Sequence, residues 1–108
     1  AYICAPYSGD KELNIKKAIH YAELAYKNDA IPVTPHLLFP FMDDRDLEQR
    51  KDALFMDIIL LGKCQEVWVF GSEITEGMKR ELEIAKKRKQ VTKYFDCDGL
   101  EIKTNAKF

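Results

Sequence analysis

The sequence predicts an α/β fold: a doubly wound, flavodoxin- or Rossmann-like three-layer sandwich built on a mainly parallel sheet of four to five strands. Three observations lead there. Short apolar runs alternate with longer segments of helical period, the pattern that lays helices over the faces of a parallel sheet. Proline, glycine or a Ser/Asp cluster closes most of the apolar runs. Right-handed crossovers between successive parallel strands then make the order 2-1-3-4 the expected one.

Each element follows from its residues. Residues 1–4 form a short apolar strand, ended by Pro6 and the turn-forming Ser8-Gly9-Asp10. Asp10 is an N-cap, its carboxylate placed to accept from amides one turn on. A helix to about residue 28 presents Ile15, Ala18, Ile19, Ala22 and Ala25 on one face. Residues 31–34 read as the second strand, closed by Pro35, and a long loop rich in Pro, Phe and Asp follows over 36–45. Loops of that length in a small domain tend to be lids or partner contacts. A second helix spans about 47–63, and residues 66–70 are the strongest strand, ended by Gly71-Ser72. A third helix covers about 75–89, a fourth strand 91–95, and the Asp98-Gly99 turn introduces a short fifth strand over 100–103.

The totals bound the function. The 108 residues are expected to fold as one domain spanning 1–108. Apolar residues make up 46% and charged residues 32%, a globular balance, and the net charge is −1. With acids and bases interspersed there is no basic field to hold a polymeric nucleic acid by its phosphates. Cys4, Cys64 and Cys97 are far apart and form no metal-binding spacing, so free thiols and a cytoplasmic location are expected. Cys4 and Cys64 fall in apolar runs and read as small core residues. No apolar stretch is long enough for a membrane span. The chain begins at Ala1 inside what reads as a strand, which leaves room for residues upstream.

In doubly wound sheets ligands bind beyond the carboxyl ends of the strands, which selects residues 5–10, 35–41 and 71–77. Two acids add a coincidence of spacing. Leu54, Ile58 and Leu61 form an i, i+4, i+7 stripe with Asp57 at i+3, and Met78, Leu82 and Ala85 form the same stripe with Glu81 at i+3. Each carboxylate therefore sits at the margin of a buried face, a position acids rarely take without a partner or a task. The bland reading is an acid reaching outward from that margin to a lysine. Ser8, Gly9 and Asp10 precede a helix whose free amides can receive a phosphate or a polar sugar group, or simply make a turn and a cap. Tyr2 and Tyr7 flank that loop as possible hydroxyl donors or as core aromatics. His36 lies at the cleft end of its strand, and His20 reads as a surface residue.

Tyr2-Ile3-Cys4-Ala5-Pro6-Tyr7 resembles the first strand and loop of nucleoside 2-deoxyribosyltransferases and of the related deoxynucleoside 5′-monophosphate N-glycosidases. Gly77-Met78-Lys79-Arg80-Glu81-Leu82 is similar to their Gly-x-x-x-Glu segment, and Asp57 resembles their helix aspartate. The resemblance runs in order from Tyr2 to about Phe95. It implies that Glu81 attacks the anomeric carbon of a (deoxy)ribosyl group, that Asp57 serves as general acid, and that Tyr2 orients Glu81. It also implies that Ala5, Pro6, Tyr7, Ser8, Gly9, His36, Ser72 and Gly77 line the substrate pocket, and that no metal or organic cofactor is needed. The partner would be a small nucleoside or nucleotide, and the chain would be a homo-oligomer, with the apolar loop 37–42 as a contact. Departures exist: Glu83 stands where active relatives carry glycine, and Cys4 or Ala5 replaces a glycine near the first strand's end.

Two other readings compete with this enzyme. A non-catalytic sensor of a nucleotide-derived ligand would use the same crevice without needing the Glu81 carboxylate. An interaction module would instead present Phe39-Pro40-Phe41 to another chain.

Overall fold

The structure is a computed structural model and describes residues 1–6, 10–43 and 45–102. It is an α/β arrangement of four strands and four helices among those residues: β1 (Tyr2–Cys4), α1 (Lys11–Lys27), α2 (Pro35–Leu38), α3 (Leu47–Lys63), β2 (Glu66–Phe70), α4 (Glu76–Lys87), β3 (Val91–Phe95) and β4 (Glu101–Ile102). The sheet runs β1-β2-β3-β4, with β1, β2 and β3 parallel and β4 antiparallel to β3. Tyr2 faces Val67 and Val67 faces Thr92, so the three parallel strands are in close register.

One expected strand contracts to a single point. Residues 31–34 make only an isolated parallel bridge, Val33 to Tyr2, with Val33 N donating to Ala1 O (2.8 Å) and Ile3 N to Val33 O (2.9 Å). The reason is covalent: Pro32 and Pro35 flank the bridge and have no N–H to extend a ladder. Counting that bridge, the neighbour order around β1 is the expected one. The last strand is likewise shorter than expected, Glu101–Ile102, with Lys103 outside the described residues.

Alternation along the strands splits the core in two. Tyr2, Cys4, Val67 and Val69 face one way and pack with Leu61 of α3 and with Met78 and Ala85 of α4. Ile3, Ala5, Trp68, Phe70 and Phe95 face the other way and pack with Tyr21 and Ala25 of α1. Phe70 stacks on Tyr21 (4.9 Å, 22°) and on Phe95 (4.9 Å, 16°), an aromatic row worth several kcal/mol, at roughly 1.5–3 kcal/mol per buried large side chain. That row corrects the expected face of α1. Its buried residues are Asn14, Ala18, Tyr21 and Ala25, while Ile19 is half exposed, because seating the Tyr21 ring on Phe70 fixes the helix rotation.

Asp10 caps α1 as expected, accepting from Glu12 N (2.9 Å) and Leu13 N (3.2 Å), and Asp46 does the same for α3, accepting from Glu48 N (3.0 Å) and Gln49 N (3.3 Å). Thr75 caps α4 through Met78 N at 3.3 Å. At the other end of α3, the Gln90 amide donates to the orphan carbonyls of Leu61 (2.8 Å) and Cys64 (2.6 Å). The strand β2 leaves the sheet through Gly71, whose φ of 92° lies in the left-handed region that glycine adopts without strain. No helix among the described residues is long and apolar enough to cross a membrane.

Candidate active site

β1 carries the first component. Tyr2 and Cys4 share one face of a three-residue strand, so both side chains point toward α3 and α4. Glu81 lies in the second turn of α4, three residues after Met78 and four before Ala85, which anchor that helix against the sheet. Its carboxylate is therefore drawn under the sheet edge, where the Tyr2 hydroxyl donates a hydrogen bond to it. The Cys4 thiol lies 4.0 Å from Glu81 Oε1, at the outer limit for a sulfur donor.

The electrostatics follow from this burial. Glu81 is pushed up to about 7, chiefly because leaving water disfavours its charge, and the Asp57 charge adds to the rise while the Tyr2 hydrogen bond opposes it. Asp57 is raised to about 6 by burial. One of its oxygens, Oδ1, is buried and has no hydrogen-bond partner among the described residues. Burial and the Glu81 carboxylate together hold Tyr2 protonated far above its usual range, and burial likewise pushes up the Cys4 thiol. Two acids with raised proton affinity beside a hydroxyl that stays protonated make a site able to give and take protons near neutrality.

A cleft of about 250 Å³ opens onto these groups. It is lined by Tyr2 and Ile3 of β1, Asp57 and Ala53 of α3 and Glu81 of α4. Pro35 and His36 of α2, then Phe39, Pro40 and Met42, also line it, as do Lys11 and Ile15 from the first turns of α1. The cleft thus takes in the first residues of β1 and the segment that follows the Val33 bridge.

Four of the residues singled out in the sequence meet here: Tyr2, His36, Asp57 and Glu81. Tyr7, Ser8 and Gly9 lie outside the described residues. The remaining four do not line this cleft. Ala5 follows the strand alternation onto the opposite face, packed with Tyr21 and Phe70, and Pro6 lies beside Gly71. Ser72 is exposed in the bend after β2, and Gly77 is exposed in the first turn of α4 with open space beside it. The loop after β2 therefore contributes nothing to this pocket, and α4 reaches it one turn later, through Glu81. Residues 36–45, read as a loop, begin with the helical turn α2, which starts at Pro35 as proline favours. His20 is exposed, with Nε2 2.9 Å from the Cys97 carbonyl oxygen. Cys4 is buried, Cys64 half-buried and Cys97 exposed, all as free thiols.

Lys11, Ile15, Met42 and Ala53 are cleft residues that were not assigned to the site from sequence, whereas Phe39 and Pro40 fall in the selected segment 35–41. Ala53 had a signal, since it precedes Asp57 by four and so shares its helix face. Lys11 had one too, as the first helical residue after the cap at the crevice. Among the described residues, no group of three or more His, Cys, Asp or Glu side chains stands close enough to share a metal ion.

A tyrosine hydroxyl over a buried carboxylate, with a second acid beside it in a small cleft, defines the class: an α/β domain with an acid-pair pocket. The chain matches, over residues 1–95, the family model described as a domain of unknown function (DUF7768), and it belongs to that family. The matched region ends with β3 and contains every cleft residue named above. No curated protein matches the chain.

Proposed function

We propose that this protein cleaves or transfers the N-glycosidic bond of a (deoxy)nucleoside or its 5′-monophosphate, with Glu81 as nucleophile. The observation that supports this most directly is the buried Glu81 carboxylate under the Tyr2 hydroxyl, in the same cleft as Asp57. The same reading assigns the α/β architecture to the doubly wound, Rossmann-like class, with helices from both sheet faces converging on one crevice.

In this mechanism ionised Glu81 attacks the anomeric carbon as the carbon–nitrogen bond breaks. The bond's electron pair stays on the base nitrogen, which takes its proton from Asp57. Water or a second base then attacks the glycosyl-enzyme, and Asp57 recovers a proton from that acceptor, the two-step logic of retaining glycosidases. The Tyr2 hydrogen bond steadies the carboxylate and favours its charged form. A cleft of about 250 Å³ is below the roughly 300–1,000 Å³ typical of drug-sized ligands, which suits a sugar with a single base.

The proton inventory adds a constraint. Burial raises both acids toward neutrality, so the pair titrates as a unit and the productive form needs one proton shared between the two carboxyls. Turnover is expected to follow a narrow bell with its maximum between the two values, about 6 and about 7.

The test is incubation with a panel of deoxynucleosides, ribonucleosides and their monophosphates, reading free base by chromatography. The native protein should release base, and Glu81→Ala should lose at least about 10³-fold in rate, as expected for a missing nucleophile. Saturable binding without release by the native chain would favour the sensor reading, and neither binding nor release would remove both.

A further inference from the structure

β1 is three residues long, and the strand period of two puts Tyr2 and Cys4 on one face, their side chains roughly 7 Å apart along the strand. The ladder fixes both positions, since Tyr2 pairs with Val67 and Cys4 with Val69. The Tyr2 hydroxyl donates to the Glu81 carboxylate, and Cys4 Sγ lies 4.0 Å from Glu81 Oε1 with the thiol as donor. One carboxylate thus meets two successive inward positions of the same strand.

Cys4 is fully buried beside Met78, Val69 and Ala85, where any side chain of its size would fill the space. A thiol brings a hydrogen as well, and the acceptor next to it is the acid of the cleft. That hydrogen stays in place: burial pushes the thiol well above its usual range, and the Glu81 charge adds to the rise. Cys4 is therefore a donor rather than a nucleophile. Around Glu81 stand Tyr2 and Cys4 from β1 and Asp57 from α3, and Tyr94 of β3 lies across Val69 from Cys4 in the same row. The two donors favour the charged form of Glu81, and the Asp57 charge opposes it.

We propose that Cys4 is a second positioning residue for Glu81, its thiol steadying Oε1 so that the carboxylate presents a fixed edge to the anomeric carbon. That role rests on the glycosidic reading, in which Glu81 is the nucleophile. Sulfur is a weak donor, so the contact orients the carboxylate while leaving most of its nucleophilic strength. No bond forms or breaks at sulfur.

The experiment follows the Glu81 carboxyl by NMR through neutral pH in the native chain, Cys4→Ala and Cys4→Ser, with circular dichroism confirming each fold. Cys4→Ala should raise the titration above its native value of about 7 by roughly half a pH unit, as expected for loss of a weak donor. Cys4→Ser keeps a donor and should return the titration to the native value or below it. In the base-release assay kcat should fall roughly threefold to tenfold in Cys4→Ala with KM unchanged, and Cys4→Ser should recover most of it. The native protein offers a readout without substitution at Cys4: one infrared S–H stretch should move to lower frequency as Glu81 ionises, and Glu81→Gln should abolish that movement. A titration unmoved by Cys4→Ala, an equal shift in Cys4→Ser, or S–H stretches indifferent to Glu81 overturns the role of Cys4, and the glycosidic reading then stands if base is still released. The expected shifts without base release remove the reaction, and with it the positioning role, and leave only the hydrogen bond. Should neither variant fold, the native stretch decides alone.

Discussion

Helices α3 and α4 each deliver one acid to the same cleft, but they are built differently. α4 is a one-sided amphipath: Met78 and Ala85 are buried, Leu82 packs on the core, and Lys79, Arg80, Glu83, Lys86 and Lys87 face water. Its acid is held, because Glu81 accepts from the Tyr2 hydroxyl. α3 carries apolar residues on both sides, and its acid keeps one buried oxygen without a partner among the described residues. Burial opposes the charge of both acids; at Glu81 the Tyr2 hydrogen bond offsets part of that cost, and at Asp57 nothing among the described residues does.

The largest expected contrast lies within α3. Leu61→Ala, at a fully buried site, should destabilise the protein by about 2–5 kcal/mol, whereas Ile59→Ala on the outer face should change its stability by less than about 0.5 kcal/mol. Urea unfolding of both variants checks this. Equal losses would mean that the outer face is covered within the chain itself.

The next effect concerns α4 and pH. Because folding raises Glu81 from 4.5 to about 7, the native state binds more protons than the unfolded state between those values. Stability from this group is therefore full below about pH 4.5 and is lost as pH rises through about 7, by about 3 kcal/mol. Asp57, raised from 3.8 to about 6, acts in the same direction over a lower window. The native urea midpoint should fall between about pH 5 and about pH 8, and Glu81→Gln should remove most of that fall. A native midpoint that stays flat over this range would mean that both acids are solvated.

The smallest effect tests the partner that separates the two acids. Tyr2→Phe removes the donor that favours ionised Glu81, so the Glu81 carboxyl should titrate higher still, by up to about one pH unit. Asp57, which Tyr2 does not hold, should move less. Carboxyl chemical shifts followed by NMR through neutral pH distinguish the two.

Much of this arrangement was written in local chemistry. Asp10 announces its helix because a short carboxylate reaches its own next turn, and no distant residue is needed for that; Asp46 works in the same way. The run from Val67 to Phe70 is apolar at every position because β2 is covered on both faces. The margin positions of Asp57 and Glu81 follow from helical period, and both do reach the cleft. Local pattern failed where a distant contact chose between alternatives. The rotation of α1 depends on where Phe70 receives Tyr21, and residues 31–34 could not continue as a strand between two prolines. The expected α3 stripe meets the core at Leu61, which is fully buried, while Leu54, two turns earlier on the same side, is partly exposed.

By itself, then, the sequence determined the alternation of strands and helices, the caps, and the placement of two acids at the edges of helix faces, since each depends on neighbours within a turn or two. Only the tertiary structure decided that Tyr2 donates to Glu81, that Asp57 keeps an oxygen without a partner among the described residues, and that Ala5 and Ser72 stay out of the pocket. Those outcomes depend on how elements far apart in the chain meet. Burial, which moves the proton affinities of both acids, exists only once they have met.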